Sequence, residues 1–111
     1  MTGFDDLTTP SLVQRAAAQH GRAEALVDVD ANVTLTFREL EDAVRGAAAA
    51  FIAAGIEPGD RVAVWAPNIW EWPVTALGLH LAGAVLVPLN TRYKGAEAAY
   101  ILNRSGARLL F

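Results

Sequence analysis

The sequence has no cysteine, one methionine, one lysine (Lys94) and two histidines. Without cysteine there is no disulfide framework, no thiol nucleophile and no Cys-ligated zinc or iron–sulfur centre. His20 and His80 stand far apart, so a local histidine metal motif is missing too. A lone lysine leaves almost no scope for Schiff-base chemistry. Basic side chains are outnumbered nine to twelve, giving a net charge of −3. That balance opposes nucleic-acid binding, which calls for a basic face. Glycine is present but never clustered behind an apolar run. Pro67–Glu71 and Leu89–Tyr93 follow the two most apolar strand-like runs and contain none. Neither can form the backbone cradle of a dinucleotide or P-loop phosphate site. Met1–Leu12 carries Asp5 and Asp6 and lacks the basic start and apolar run of a secretory signal, so a cytoplasmic chain is expected. Residues 72–91 carry no Asp, Glu, Lys or Arg, but Pro73, Gly78, Gly83 and Pro88 interrupt them. They read as a helix and a buried strand, not a membrane span.

What remains is a chain of 111 residues, 53% hydrophobic, enough for one domain-sized unit and too apolar for disorder. Thr9 and Pro10 mark a helix start, with Leu12, Val13, Ala16 and Ala17 on its apolar face and Gly21 as a left-handed stop. Ala25–Val27 and Val33–Leu35 flank turn residues 28–32 and predict a hairpin. Thr36 and Glu39 have capping-box spacing. The helix they open carries Leu40, Val44, Ala47, Ala48, Phe51 and Ile52 as one stripe and ends at Gly55. Its alanines at 47–50 admit a close neighbour. Arg61–Ala66 is apolar without alternation, which predicts a central parallel strand. Asn68 offers a cap, but Pro73 moves the regular start of the next helix towards itself. Ala84–Pro88 reads as a second buried strand. A helix around Ala96–Asn103 closes near Gly106, and Arg108–Phe111 begins a third strand. The expected fold is α/β: an N-terminal helix and β-hairpin, then parallel β-α-β-α-β, part of a doubly wound sheet with right-handed crossovers.

Few residues offer chemistry. Asp28, Asp30, Asn32, Thr34, Thr36 and Glu39 share the spacing of a calcium loop. Val33 stands where that loop needs glycine, and no helix leads into it. His80 lies in an apolar helical stretch and reads as a packed core histidine. Trp65, Trp70 and Trp72 read as packing or as an aromatic pocket. Residues 90–111 hold Arg92, Lys94, Arg104 and Arg108 against Glu97, a basic end on an acidic body. It is either a solvated helix face or the approach to an anionic ligand. No reaction centre emerges from composition or spacing.

Several segments, taken in order, resemble the N-terminal region of the AMP-binding, adenylate-forming acyl-CoA synthetases. Leu35-Thr36-Phe37-Arg38-Glu39-Leu40 is similar to that family's Leu-Thr-Tyr-x-Glu-Leu motif. Gly55 to Val64 resembles its Gly-x-x-x-Gly-Asp-Arg-Val segment. Pro67-Asn68 with Glu71-Trp72, and Leu81 to Asn90, resemble two further motifs. Glu97, Tyr100–Leu102 and Ser105–Ala107 continue the likeness, which runs from about Thr9 to Phe111. Pro73, Trp70 and Lys94 depart from the usual pattern, and Lys94 stands where Ser or Thr commonly caps the next helix.

The resemblance implies that residues 1–111 are the first part of a large AMP-binding domain. The parent would use ATP, Mg²⁺ and CoA to convert a carboxylic acid to an acyl-adenylate and then a CoA thioester. The Ser/Thr/Gly-rich phosphate loop, the adenine and ribose contacts and the catalytic lysine of a C-terminal domain have no counterpart among these residues, so no catalytic residue is carried over. In some relatives the loop after the second motif lies near the CoA nucleotide. Here that loop is Asn90, Thr91 and Arg92, either CoA-proximal or simply bonded to its own neighbours. The Trp-rich segment together with Pro88–Tyr93 is most similar to synthetases acting on bicyclic propanoates from sterol ring degradation; fatty acids are the broader class. On this reading the partners are the carboxylic acid, ATP, CoA and the remainder of the synthetase chain, and the segment alone is inactive. The competing expectation is a free-standing, noncatalytic α/β interaction module. Phe111 ends inside an apolar strand, which favours truncation. Exposed apolar surface is then expected when the chain is expressed alone.

Overall fold

A computed structural model describes residues 8–111. The targeting reading of Met1–Leu12 therefore falls largely outside the described residues. Helix α1 spans Thr9–His20. Its cap is Thr8, not Thr9: the Thr8 hydroxyl accepts from Ser11 N, and Ser11 Oγ accepts from Thr8 N. Pro10 thus sits at the second helical position, where no intrahelical donor is needed. Leu12, expected on the packed face, is half-exposed. Gly21 is not left-handed; its φ of −53° continues the right-handed turn. The position is crowded instead. A β-carbon there would stand 3.0 Å from the Arg38 guanidinium and 2.7 Å from Ala17 O.

Strands β1 (Glu24–Asp28) and β2 (Val33–Thr36) form the expected antiparallel hairpin. Asp28 Oδ1 accepts from Ala31 N, and Asn32 takes a positive φ of 54°. That conformation suits asparagine in a turn. Helix α2 (Phe37–Ala53) starts at the Thr36–Glu39 capping box, with both reciprocal bonds made at 2.9 and 3.2 Å. These bonds to Thr36 hold the Glu39 carboxyl below its ordinary pKa. Leu40, Val44, Ala48 and Phe51 face inward, while Ile52 is 58% exposed. Ile52 follows Phe51 directly, and one residue turns the helix about 100° off the buried face.

Strand β3 (Arg61–Val64) is shorter than the apolar run that announced it, and lies at the centre of a parallel sheet ordered β4-β3-β5. Val62 and Ala63 are fully buried. Helix α3 spans Glu71–Leu81, so regular structure starts two residues before Pro73. Pro73 then occupies the third position, where its missing N–H costs nothing. Asn68 caps nothing; Trp70 is the boundary residue and makes no side-chain cap. Strand β4 (Val85–Pro88) pairs Arg61 with Val85 and Val64 with Pro88. It is not fully buried: Val85 and Pro88 are exposed, because no strand lies beyond it among the described residues. Helix α4 (Gly95–Ser105) ends at Gly106 in the left-handed region, and β5 (Leu109–Leu110) pairs with β3.

Alternation along β3 assigns the two faces of the sheet. Val62 and Val64 pack with Phe51, Ile56, Leu79 and Ala84, against α2 and α3. Ala63 packs with Leu89 and Ala98, under α4. Helices on both faces make the sheet doubly wound, as expected. A third cluster of Leu40, Val44 and Val74, with Val13 and Leu35 against it, joins α1 and the hairpin to the α2–α3 pair.

Candidate functional site

In open α/β sheets ligands gather at the carboxyl ends of the strands. Two loops lie there, 65–70 after β3 and 89–94 after β4, and the second holds Asn90, Thr91 and Arg92. All three are exposed. The loop is nevertheless fixed. Leu89 N donates to Val64 O at 2.9 Å, continuing the β3–β4 ladder by one residue. Asn90 Oδ1 accepts from Arg92 N at 2.9 Å. Asn90 O accepts twice, from Tyr93 N at 3.0 Å and from the Trp65 indole N–H at 3.1 Å. Lys94 N then donates to Glu97 Oε2 at 2.8 Å. A lysine ammonium accepts no hydrogen bond, so Lys94 makes only this half of a capping box. Lys94 cannot supply the Ser or Thr cap usual at this position, and Glu97 makes up part of that loss. The Arg92 guanidinium forms no hydrogen bond or ion pair with the described residues. A fixed backbone carrying an unpaired guanidinium suits a phosphate-bearing ligand. Beside it, Tyr93, Ala96, Glu97, Tyr100 and Ile101 line an open, largely apolar groove of about 450 Å³.

The other candidates disperse. Trp65 packs on the Ala63–Leu89–Ala98 cluster, Trp70 on that of Leu40, and Trp72 on that of Phe51. Three tryptophans serve three separate cores. His80 is exposed, not a core histidine, because it falls on the outer side of α3. Both Asp28 carboxylate oxygens are engaged, one by Ala31 N and the other by Trp70 N at 3.0 Å. The residue at the head of the calcium-like spacing thus ties the hairpin to the start of α3. Of the basic end, Arg108 pairs with Asp60 at 3.2 Å; Arg61, at the start of β3, donates to Ser105 O, the last carbonyl of α4. Sequence reading missed the Trp65–Asn90 and Asp28–Trp70 bonds. No local pattern joins residues so distant in the chain.

Residues 13–111 match the family described as AMP-binding enzyme. The chain belongs to that family. It is 53% identical over 104 residues to the Mycobacterium tuberculosis protein named "3-[(3aS,4S,7aS)-7a-methyl-1,5-dioxo-octahydro-1H-inden-4-yl]propanoyl:CoA ligase", covering 94% of this chain and 20% of that protein. It is 34% identical over 103 residues to the mitochondrial medium-chain acyl-CoA ligase ACSF2 of Macaca fascicularis, covering 93% of this chain and 17% of that one. Its fold superposes on the N-terminal domain of FACL13 from Mycobacterium tuberculosis with a TM-score of 0.89 and 32% identity, covering 91% of this chain and 25% of that chain. The chain thus spans about a fifth of the length of these curated relatives. The AMP-binding acyl-CoA ligase resemblance read from the motifs is borne out, and so is the α/β fold. Among the described residues no helix is long and apolar enough to cross a membrane.

Proposed function

We propose that residues 1–111 open the large AMP-binding domain of an AMP-forming carboxylate–CoA ligase whose substrate is a bicyclic, ring-bearing propanoate. The observation that carries this reading is the 53% identity, over 94% of the chain, to a ligase named for such a propanoyl group. Identity to the medium-chain ligases is 34%. The overall reaction joins the carboxylate to CoA and converts ATP to AMP and pyrophosphate. The strand ends described above lack the glycine-rich donors that a triphosphate requires. ATP and Mg²⁺ therefore belong to the remainder of the parent chain, no step is assigned to these residues through them, and the segment alone is inactive. CoA is different. When bound, it supplies the thiol that takes the acyl group. Here Asn90, Thr91 and Arg92 form the CoA-proximal loop, with Arg92 offering its guanidinium to a nucleotide phosphate. A cytoplasmic location completes the reading, and cell fractionation checks it.

The test is product formation by the full-length protein. With MgATP, CoA and 3-(7a-methyl-1,5-dioxo-octahydroinden-4-yl)propanoate, mass spectrometry should find the CoA thioester. Octanoate should react with a much lower kcat/KM. Thioester from octanoate alone would overturn the substrate reading, and thioester from neither acid would overturn the ligase reading for both classes.

A further inference from the structure

We infer that Trp65 is a positioning residue for the loop that carries Arg92. The inference rests on the CoA-proximal reading of that loop. A carbonyl oxygen has two acceptor positions, and Asn90 O has two donors, Tyr93 N and the Trp65 indole N–H. The first bond is local and only closes the turn. The second comes from the residue just after β3 and references the turn to the sheet. Trp65 is a rigid post for this purpose. Its ring packs against the cluster of Ala63, Leu89 and Ala98, and its backbone amide donates to Phe111 O, one residue beyond β5. A side chain with only two rotatable bonds, packed on one face, loses little entropy in holding that bond. Asn90 in turn fixes Arg92 through Oδ1 and the Arg92 amide. A chain of contacts therefore runs from the sheet centre through the indole N–H and Asn90 to the backbone of Arg92. No other side chain among the described residues donates to Asn90 O.

The experiment uses the full-length ligase and Trp65→Phe, which keeps an aromatic ring and removes the N–H. Arg92→Ala tests the underlying reading separately. Trp65→Phe should raise KM for CoA by about threefold to tenfold, the loss of one neutral hydrogen bond. The rate of ATP–pyrophosphate exchange and kcat for thioester formation should stay within about twofold. The penalty should vanish when pantetheine, which lacks the nucleotide phosphates, replaces CoA as the acceptor thiol. A general packing defect would instead affect exchange and both thiols alike, and that result overturns the inference. If Arg92→Ala raises KM for CoA while Trp65→Phe does not, the CoA reading stands and the role of Trp65 falls. If Arg92→Ala leaves KM for CoA unchanged, the CoA reading itself fails and the inference falls with it.

Discussion

Gly78 allows a close contact between α3 and α2 to be tested by adding a single carbon. It lies buried in α3, facing α2. A β-carbon at this position would stand 2.6 Å from Ala47 Cβ and 3.2 Å from Ala48 N. Carbon atoms in contact prefer about 3.5–4.0 Å, so the helices would have to separate by about 1 Å. Ala47 Cβ is attached directly to the backbone and cannot swing aside. Over-packing of this kind costs about 1–3 kcal/mol. Against it stands the helix-propensity gain of Gly→Ala, about 1 kcal/mol. Gly78→Ala should therefore be destabilising by about 1 kcal/mol net. Gly46 is the control. It lies in α2, is exposed, and a β-carbon added there would meet nothing within 4 Å. Gly46→Ala should stabilise by about 0.5–1 kcal/mol. Adding Ala47→Gly to Gly78→Ala should recover part of the loss, with a coupling of at least about 0.5 kcal/mol. Urea unfolding followed by tryptophan fluorescence reads the parent, these variants and the single Ala47→Gly that the coupling requires. Gly78→Ala as stable as the parent, or stabilised as much as Gly46→Ala, would refute the packing argument.

The Thr36–Glu39 box and the Asp60 contacts give the remaining predictions. Thr36→Ala should cost about 1 kcal/mol by leaving the Glu39 amide uncapped, as read by urea unfolding. Bonds to Thr36 lower the Glu39 pKa in the folded chain, so its contribution is present above the unfolded carboxylate range and lost as pH falls through the folded value. The stability gap between the parent and Glu39→Gln should therefore shrink on acidification; a gap constant with pH would exclude the ionised cap. Asp60 Oδ2 accepts from both Glu57 N at 2.7 Å and the exposed Arg108 guanidinium at 3.2 Å. Arg108→Ala should cost less than about 1 kcal/mol, as exposed pairs do. Asp60→Ala should cost more, because it also frees the turn amide before β3; equal losses would place the whole effect in the ion pair.

The contrast between what the sequence foretold and what it hid follows the range of the forces involved. The Thr36–Glu39 box lies within one helical turn and is legible residue for residue, while the hairpin and the parallel strands are legible as elements but not in their exact bounds. The first cap falls one residue earlier than expected because Thr8 and Thr9 are chemically alike, and only backbone geometry distinguishes them. Gly21 has the look of a left-handed stop, yet it answers to the crowding of Arg38, a residue brought in by the hairpin. Ile52 and His80 depart from expectation because hydropathy gives a stripe its centre but not its edges. At the candidate site, motif resemblance points to Asn90–Arg92. The bonds that hold the loop are not legible, since Trp65 reaches Asn90 only once β3 and β4 lie side by side. That Gly78 faces Ala47 is hidden likewise, although the alanine run at 47–50 announces that some close neighbour will come.

The function proposed above puts the adenylating chemistry of the parent ligase outside residues 1–111. Carboxylate-dependent ATP–pyrophosphate exchange, measured side by side on residues 1–111 and on the full-length protein with the bicyclic propanoate, tests it most directly. Exchange is expected from the full-length protein and none from the segment. Exchange by the segment alone, or its absence from the full-length protein with this acid, would contradict the proposed function.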